Sequence, residues 1–164
     1  MERRPTLFLL CGKMAAGKST LAKALADRER AVRLVADEFL ARLYPGEIVD
    51  VPTYIKYSTR MNEALAPHIC ALLGLGLAVV LDFPGNTRRQ RAWFRHLIDS
   101  SGVDHELHVI DAPDEVCKRQ LRARSQGLPE GTAWTTDAEF DAITAYFEPP
   151  SPDEQFTIVR HDRT

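Results

Sequence analysis

The chain has 164 residues, of which 45% are hydrophobic and 27% are charged, and these values are typical of one soluble globular domain. Its formal net charge of −2 provides no overall basic field that would attract nucleic acid or an anionic membrane. The three cysteines are widely spaced and lie in or beside apolar segments, which favours free thiols in a reducing compartment. We find no signal peptide or membrane span and therefore expect a cytoplasmic protein.

The first elements of the chain are a strand, a glycine-containing loop and a helix. The apolar run Thr6–Cys11 predicts a buried strand, and residues from about Lys18 to Arg28 have helical spacing. The residues between them match the pattern G-x-x-x-x-G-K-[ST] in full, which in this context indicates a phosphate-binding loop. Backbone N–H groups and the positive end of the helix dipole would hold the phosphates. The residues assigned to nucleotide binding are Gly12, Lys13, Met14, Ala15, Ala16, Gly17, Lys18, Ser19 and Thr20.

Two residues of this loop have chemical roles in the motif. Lys18 is expected to reach the β- and γ-phosphates, and the hydroxyl of Ser19 is expected to bind Mg²⁺. The chain has no Asn-Lys-x-Asp motif for reading guanine, which favours ATP over GTP. The predicted cofactors are therefore ATP and Mg²⁺.

Strands and helices alternate along the rest of the chain. Further strands are predicted at Val32–Ala36, Leu77–Leu81, Glu106–Ile110 and Phe156–Val159. Helices are predicted at Glu38–Leu43, Tyr54–Leu73, Arg88–Asp99, Pro113–Arg124 and Asp137–Phe147. This alternation predicts an α/β fold in which a five-stranded, mostly parallel sheet has helices on both faces. Ligands of such folds bind beyond the carboxyl ends of the strands.

Two aspartates follow predicted strands at that edge of the sheet. Asp37 is either the N-cap of a helix or a carboxylate that orients or deprotonates an acceptor hydroxyl near the γ-phosphate. Asp82 is either a metal-binding carboxylate, together with Ser19, or a loop residue satisfied by turn amides. The residues alone leave both alternatives open.

The segment Asn86-Thr87-Arg88-Arg89-Gln90-Arg91 opens a predicted helix with three arginines. Positive charge at a helix N-terminus opposes the helix dipole, so this arrangement suggests a use such as binding an anionic or carboxylate-bearing substrate. The alternative is a solvated helix face. We assign Asn86, Thr87 and Arg88 to the substrate site.

A second group of basic residues, 118–124, precedes a segment, Ser125–Thr135, that we interpret as a mobile loop. A guanidinium near the γ-phosphate neutralises the charge that develops during phosphoryl transfer. We expect at least one of Arg119, Arg122 and Arg124 to act in this way, within a lid near residues 119–135. The remaining basic residues of the group are most simply solvated.

Taken together, these motifs resemble those of a known group of enzymes. The chain resembles the small P-loop kinases with a zeta-toxin-like or chloramphenicol-phosphotransferase-like core, and the 5′-kinase domains of polynucleotide kinases. The resemblance extends from Leu7 to about Phe147. It includes the phosphate loop, Val35–Phe39 with Arg42 one turn on, Leu81–Trp93, and His105–Asp111 leading to Cys117–Arg124. Members of this group are also often described as AAA-type ATPases.

The resemblance implies a three-layer P-loop kinase fold with strand order 2-3-1-4-5, formed by residues 1–164 as one domain. It implies that Asp37 is the general base, that Arg42 contacts the acceptor, and that Arg122 or Arg124 contacts the transferred phosphate. In polynucleotide kinases an Asp-Thr-Asn motif is continuous, whereas here three residues separate Asp82 from Asn86. The acceptor pocket is therefore expected to differ.

The predicted function is a Mg²⁺-ATP-dependent kinase that phosphorylates a hydroxyl of a small-molecule or nucleotide-like acceptor. One alternative is a polynucleotide or RNA 5′-hydroxyl kinase, although the net charge does not favour a nucleic-acid partner. A basic groove would support that alternative; its candidate residues are Arg42, Lys56, Arg60, Arg88 and Arg89. The alternative from another class is a regulatory ATP-binding switch. We expect no membrane partner.

Overall fold

The computed structural model describes residues 4–125 and 136–163. Its centre is a five-stranded sheet with the order β2-β3-β1-β4-β5, and all four strand pairings are parallel. The predicted α/β class and strand order are therefore confirmed. The strands are β1 Thr6–Cys11, β2 Val32–Val35, β3 Val79–Asp82, β4 Asp104–Asp111 and β5 Ile158–Asp162.

Six α-helices connect the strands within the described residues. They are α1 Lys18–Glu29, α2 Ala36–Leu43, α3 Val51–Gly74, α4 Arg88–Ser101, α5 Asp114–Ser125 and α6 Asp137–Thr144, and a 3₁₀ helix follows at Pro152–Glu154. Among these residues, none of the helices has the length and apolar character needed to cross a membrane.

The starts of helices α3 and α2 differ most from the prediction. Helix α3 begins at Val51, before the predicted Tyr54, because Asp50 caps it: its carboxylate accepts a hydrogen bond from the Thr53 backbone N–H at 2.9 Å. Helix α2 begins at Ala36, which was predicted to end a strand.

Alternate residues of the central strand pack on opposite faces of the sheet. Leu7 and Leu9 of β1 belong to a core with α3 and α4, whereas Phe8 and Leu10 pack against α1. Side chains of a strand point alternately to the two faces, so one apolar run serves both layers. This burial holds β1 at the centre of the sheet, with the phosphate-binding motif at its carboxyl end.

Candidate active site

The phosphate-binding loop joins β1 to α1 through two residues with left-handed backbone. Ala15 has φ 60° and Gly17 has φ 104°. Gly17 occupies the N-cap position of α1, and glycine adopts this conformation without steric cost. Because Gly17 has no side chain to cap the helix, N–H groups of the first turn remain available to an anion. Ala15 carries some backbone strain, as residues at ligand-binding loops often do.

Lys18, Asp37 and Asp82 form one electrostatic cluster at the carboxyl edge of the sheet. Burial lowers the pKa of Lys18, and the negative charges of Asp82 and Asp37 oppose that shift. Burial and the neighbouring Asp82 raise the pKa of Asp37, and Lys18 acts in the opposite direction. The Lys18 ammonium donates a hydrogen bond to the Gly12 carbonyl at 2.5 Å.

The position of Asp37 separates the two interpretations that its sequence context allowed. Val35 is the N-cap of α2, so Asp37 is not the cap but lies in the first turn. Asp37 is an exposed residue, and its carboxylate benefits there from the positive end of the helix dipole. A carboxylate that does not cap its own helix remains available to a ligand.

The two predicted metal ligands are in contact. The Ser19 hydroxyl donates a hydrogen bond to Oδ2 of Asp82 at 2.8 Å, and Asp82 is the last residue of β3. Hydroxyl and carboxylate oxygens are the ligand type that Mg²⁺ prefers. The donor set therefore fits the cation that the motif predicts.

Asn86 connects the phosphate-binding loop to α4. Its Oδ1 accepts a hydrogen bond from the Gly12 backbone N–H at 2.9 Å, and its own N–H donates to the Gln90 side chain at 2.9 Å. Thr87 caps α4, because its hydroxyl oxygen accepts from the Gln90 backbone N–H at 3.1 Å. These contacts give Asn86 and Thr87 structural roles, and their assignment to the substrate site stays a prediction.

The arginines at the start of α4 contact the segment around the 3₁₀ helix. The Arg88 guanidinium donates to Asp153 at 2.9 and 3.0 Å and to Ser151 at 2.5 Å. Arg91 is buried, with Nε 2.8 Å from Oε1 of Glu154 and Nη1 3.0 Å from the Gly85 carbonyl. Neither anion binding nor a solvated face describes Arg91, so both sequence interpretations are wrong for this residue. These contacts explain why basic residues occupy an unfavourable end of the helix dipole.

The predicted lid is only partly within the described residues, since residues 126–135 lie outside them. Nη2 of Arg122 is 2.5 Å from the Asp137 carboxylate, which joins the last turn of α5 to the first turn of α6. Arg119 and Arg124 are exposed on α5, and Arg42 is exposed in the last turn of α2. Their predicted contacts with phosphate or acceptor remain predictions.

Arg163 lies beside the phosphate-binding loop, a position that the sequence did not predict. Its guanidinium carbon and one of its nitrogens lie 2.9 Å from the position that a Cβ on Gly17 would occupy. Its backbone N–H donates to the Asp111 carbonyl at 2.8 Å, which holds the residue following β5 beside the end of β4. No motif marks Arg163. Its position could have been predicted from the sheet alone. Parallel strands have their carboxyl ends at the same edge, so the residue after β5 lies at the same edge as the phosphate-binding loop.

The fold and this loop define a P-loop kinase architecture, and comparisons with known proteins support that class. Residues 7–150 match the family model described as an AAA domain, and the chain belongs to that family. The family match confirms the predicted description of the chain as AAA-type, and the solved structures below show that its fold is that of P-loop kinases. No curated protein matches the chain.

Three solved structures illustrate the range of proteins with this fold. A sugar kinase from Janibacter sp. is 18% identical with a TM-score of 0.65, and the match covers 98% of this chain and 86% of that one. The Mycobacterium tuberculosis APS kinase CysC, in complex with AMPPNP and APS, is 18% identical with a TM-score of 0.60, covering 98% and 91%. A chain of the Pnkp1/Rnl/Hen1 RNA repair complex is 20% identical with a TM-score of 0.65, covering 89% and 45%. At such identities the likeness shows the fold.

Proposed function

We propose that this protein is a Mg²⁺-ATP-dependent kinase that transfers the γ-phosphate to a hydroxyl of a small-molecule or nucleotide-like acceptor. The observation that supports it most is the cluster of Lys18, Asp37 and Asp82 beside the phosphate-binding loop. A phosphate-binding loop alone indicates nucleotide binding. Asp37 is a second carboxylate whose charge affects the pKa of Lys18, and it adds a group that can accept a proton.

In this proposal the residues of the loop and those around it have separate roles. Backbone N–H groups of residues 12–20 hold the phosphates, and Lys18 exchanges its contact with the Gly12 carbonyl for phosphate oxygens. Ser19 and Asp82 hold Mg²⁺, which supplies neutralisation of phosphate charge. Arg122 or Arg124 contacts the transferred group.

Asp37 accepts the proton of the acceptor hydroxyl as the hydroxyl oxygen bonds to the γ-phosphorus and ADP departs. Its raised pKa makes it a stronger base than an ordinary aspartate, because burial and the charge of Asp82 disfavour the ionised carboxylate relative to the protonated one. The negative Asp82 nearby contributes to this effect and would itself be neutralised by a bound cation.

The test is transfer of label from γ-labelled ATP into a panel of nucleosides, RNA with free 5′ hydroxyls, sugars, amino sugars and hydroxylated antibiotics. Asp37→Asn keeps the shape of the side chain and removes the base, so we expect transfer to fall at least about 100-fold. Glu38→Gln is the matched control, since Glu38 is the next residue of the same turn and is exposed. Equal transfer by the Asp37→Asn variant and the unmodified protein would contradict the assigned role. Strong transfer to RNA alone would favour the polynucleotide kinase alternative.

A second candidate function is a nucleotide-dependent switch. One observation favours it: Asp82-Phe83-Pro84-Gly85 has the Asp-x-x-Gly spacing of nucleotide switch motifs, directly after β3. Gly85 is nevertheless tightly packed, because a Cβ there would lie 2.4 Å from the Leu10 carbonyl oxygen. Hydrogen exchange of residues 82–91 with ADP and with a non-hydrolysable ATP analogue distinguishes the two functions. A large difference between the two nucleotides, without transfer to any acceptor, would support the switch.

A further inference from the structure

A small cavity lies beside Asp37, between α2, α3 and the loop that leads into α4. Its volume is about 30 Å³, which is space for about one water molecule or one hydroxyl group. Ala36, the residue before Asp37, lines it, so the cavity adjoins the proposed base. The other residues that line the cavity include Tyr54, Ser58, Asn62, Phe83, Gln90 and Trp93.

Two polar atoms on the lining side chains are buried without a partner among the described residues. They are Oδ1 of Asn62, a hydrogen-bond acceptor, and Nε1 of Trp93, a hydrogen-bond donor. Buried polar atoms in native proteins are almost always hydrogen-bonded, and leaving them unbound is unfavourable. Two such atoms belong to side chains that line one cavity, and from this we infer a water or hydroxyl group bound to them.

Two other polar groups of the lining already have partners. The Ser58 hydroxyl donates to the Tyr54 carbonyl at 2.6 Å, one turn back in α3. Oε1 of Gln90 accepts from the backbone N–H groups of Asn86 and Thr87 at 2.9 and 3.2 Å. The buried polar atoms of the lining that are left without a partner are therefore one donor and one acceptor.

That pair of atoms discriminates between chemical groups. A hydroxyl both donates and accepts, so one hydroxyl satisfies Asn62 and Trp93 together. A carboxylate or phosphate oxygen accepts from Trp93 but meets the carbonyl oxygen of Asn62 with repulsion, whereas an ammonium has no acceptor for Trp93. The described lining residues are uncharged, and burying an anion without a positive partner is costly.

The walls of the cavity suit a compound that has both hydroxyl groups and C–H surfaces. The rings of Phe83 and Trp93 stack with centroids 5.4 Å apart, and they form an apolar wall. Tyr54 lines the cavity, and burial together with the negative charge of Asp37 raises its pKa to about 12. Tyr54 therefore remains neutral at physiological pH and can itself donate a hydrogen bond.

We propose that this cavity binds a hydroxyl group of the acceptor and selects a neutral polyhydroxylated molecule, such as a sugar or a polyol. One hydroxyl lies between Asn62 and Trp93, and another hydroxyl of the same molecule faces Asp37 for phosphorylation. The inference rests on the proposed kinase function and narrows its acceptor. It disfavours acceptors that would place a carboxylate or phosphate in this cavity.

The first test measures phosphate transfer to neutral sugars and polyols, paired with the corresponding aldonic acids and sugar phosphates. Trp93→Phe removes the donor and keeps an aromatic ring, and Asn62→Leu removes the acceptor at similar volume. Each variant should raise the acceptor KM about tenfold, because each leaves the bound hydroxyl short of one hydrogen bond, while the ATP KM changes less than about twofold. Thr59→Ala is the matched control, because Thr59 is exposed on the same helix and does not line the cavity, and it should leave both KM values unchanged.

A second measurement does not depend on transfer. Trp134→Phe leaves Trp93 as the only tryptophan of the chain, so its fluorescence in the presence of AMPPNP reports directly on sugar binding in the cavity. Saturable sugar binding that Asn62→Leu weakens, without transfer, would support the cavity and contradict the kinase function. Transfer confined to anionic acceptors would support the kinase and overturn the cavity inference. Unchanged acceptor KM in both Trp93→Phe and Asn62→Leu, with lowered stability, would show that the two atoms hold only a structural water.

Discussion

Replacing Arg91 by methionine tests whether the arginines at the start of α4 serve structure or substrate. The Arg91 side chain is 0% exposed and that of Glu154 is 10% exposed, with Nε and Oε1 2.8 Å apart. Removing one partner of a buried ion pair leaves an uncompensated charge and costs about 3–5 kcal/mol. The Gly85 carbonyl also loses its bond from Arg91. With about 2–4 °C per kcal/mol for a chain of this size, we expect Tm to fall by roughly 6–20 °C.

Arg88→Ala is the matched comparison, because it breaks an ion pair from the same helix turn at the surface. The side chains of Arg88 and Asp153 are 49% and 66% exposed, and such pairs contribute less than about 1 kcal/mol. Urea unfolding of both variants gives the two free energies, and the double variant Arg91→Met with Glu154→Leu should recover part of the loss. A loss under about 1 kcal/mol for Arg91→Met, or an equal loss for both single variants, would refute the reasoning.

Acceptor kinetics of Arg88→Ala then test its predicted substrate role, since a raised KM with little loss of stability is expected only if Arg88 contacts substrate.

Three further predictions concern the edge of the sheet where the site lies. Because the pKa of Asp37 is raised, kcat/KM should fall with decreasing pH at pH values above the usual aspartate pKa of about 4. Asp37→Asn should stabilise the fold at pH 7, where the charged carboxylate is unfavourable, but not at a pH low enough to protonate Asp37. Paired pH profiles of rate and of urea unfolding measure both effects. Gly85→Ala should destabilise the protein by about 3 kcal/mol, because the new Cβ meets the Leu10 carbonyl oxygen, and unchanged urea unfolding would contradict this packing. Arg163→Ala should weaken AMPPNP binding about tenfold in calorimetry, through loss of a positive charge beside the loop, and unchanged or tighter binding would remove Arg163 from the site.

The sequence predicted those parts of the site in which neighbouring residues carry the whole signal. Strand β1, the glycine loop and the start of α1 are continuous in the chain, and their observed bounds agree with the prediction. The contact of Ser19 with Asp82 also followed, because Asp82 ends β3, Ser19 begins the helix that follows β1 and its loop, and parallel strands end at one edge of the sheet.

What the sequence did not predict depends on contacts between distant segments. The periodicity of α4 does not distinguish a solvated arginine from one that a later glutamate neutralises, so burial of Arg91 against Glu154 was missed. The contact of Arg163 with Gly17 depends on β5 pairing with β4, which no local pattern encodes. The cavity at Asn62 and Trp93 requires the packing of α3 against α4, and neither residue belongs to a motif.

The position of β5 at the edge of the sheet has a consequence for synthesis of the protein on the ribosome. The phosphate-binding motif is made before β4 and β5, and Leu107 of β4 meets its partner Ile158 only after the residues between them have been made. Until then β4 presents an unpaired strand edge, a surface that promotes association between incomplete chains. The last strand therefore completes two things in one step: it covers that edge, and it brings Arg163 to the nucleotide loop. A nascent chain stopped before β5 carries the whole motif and lacks both.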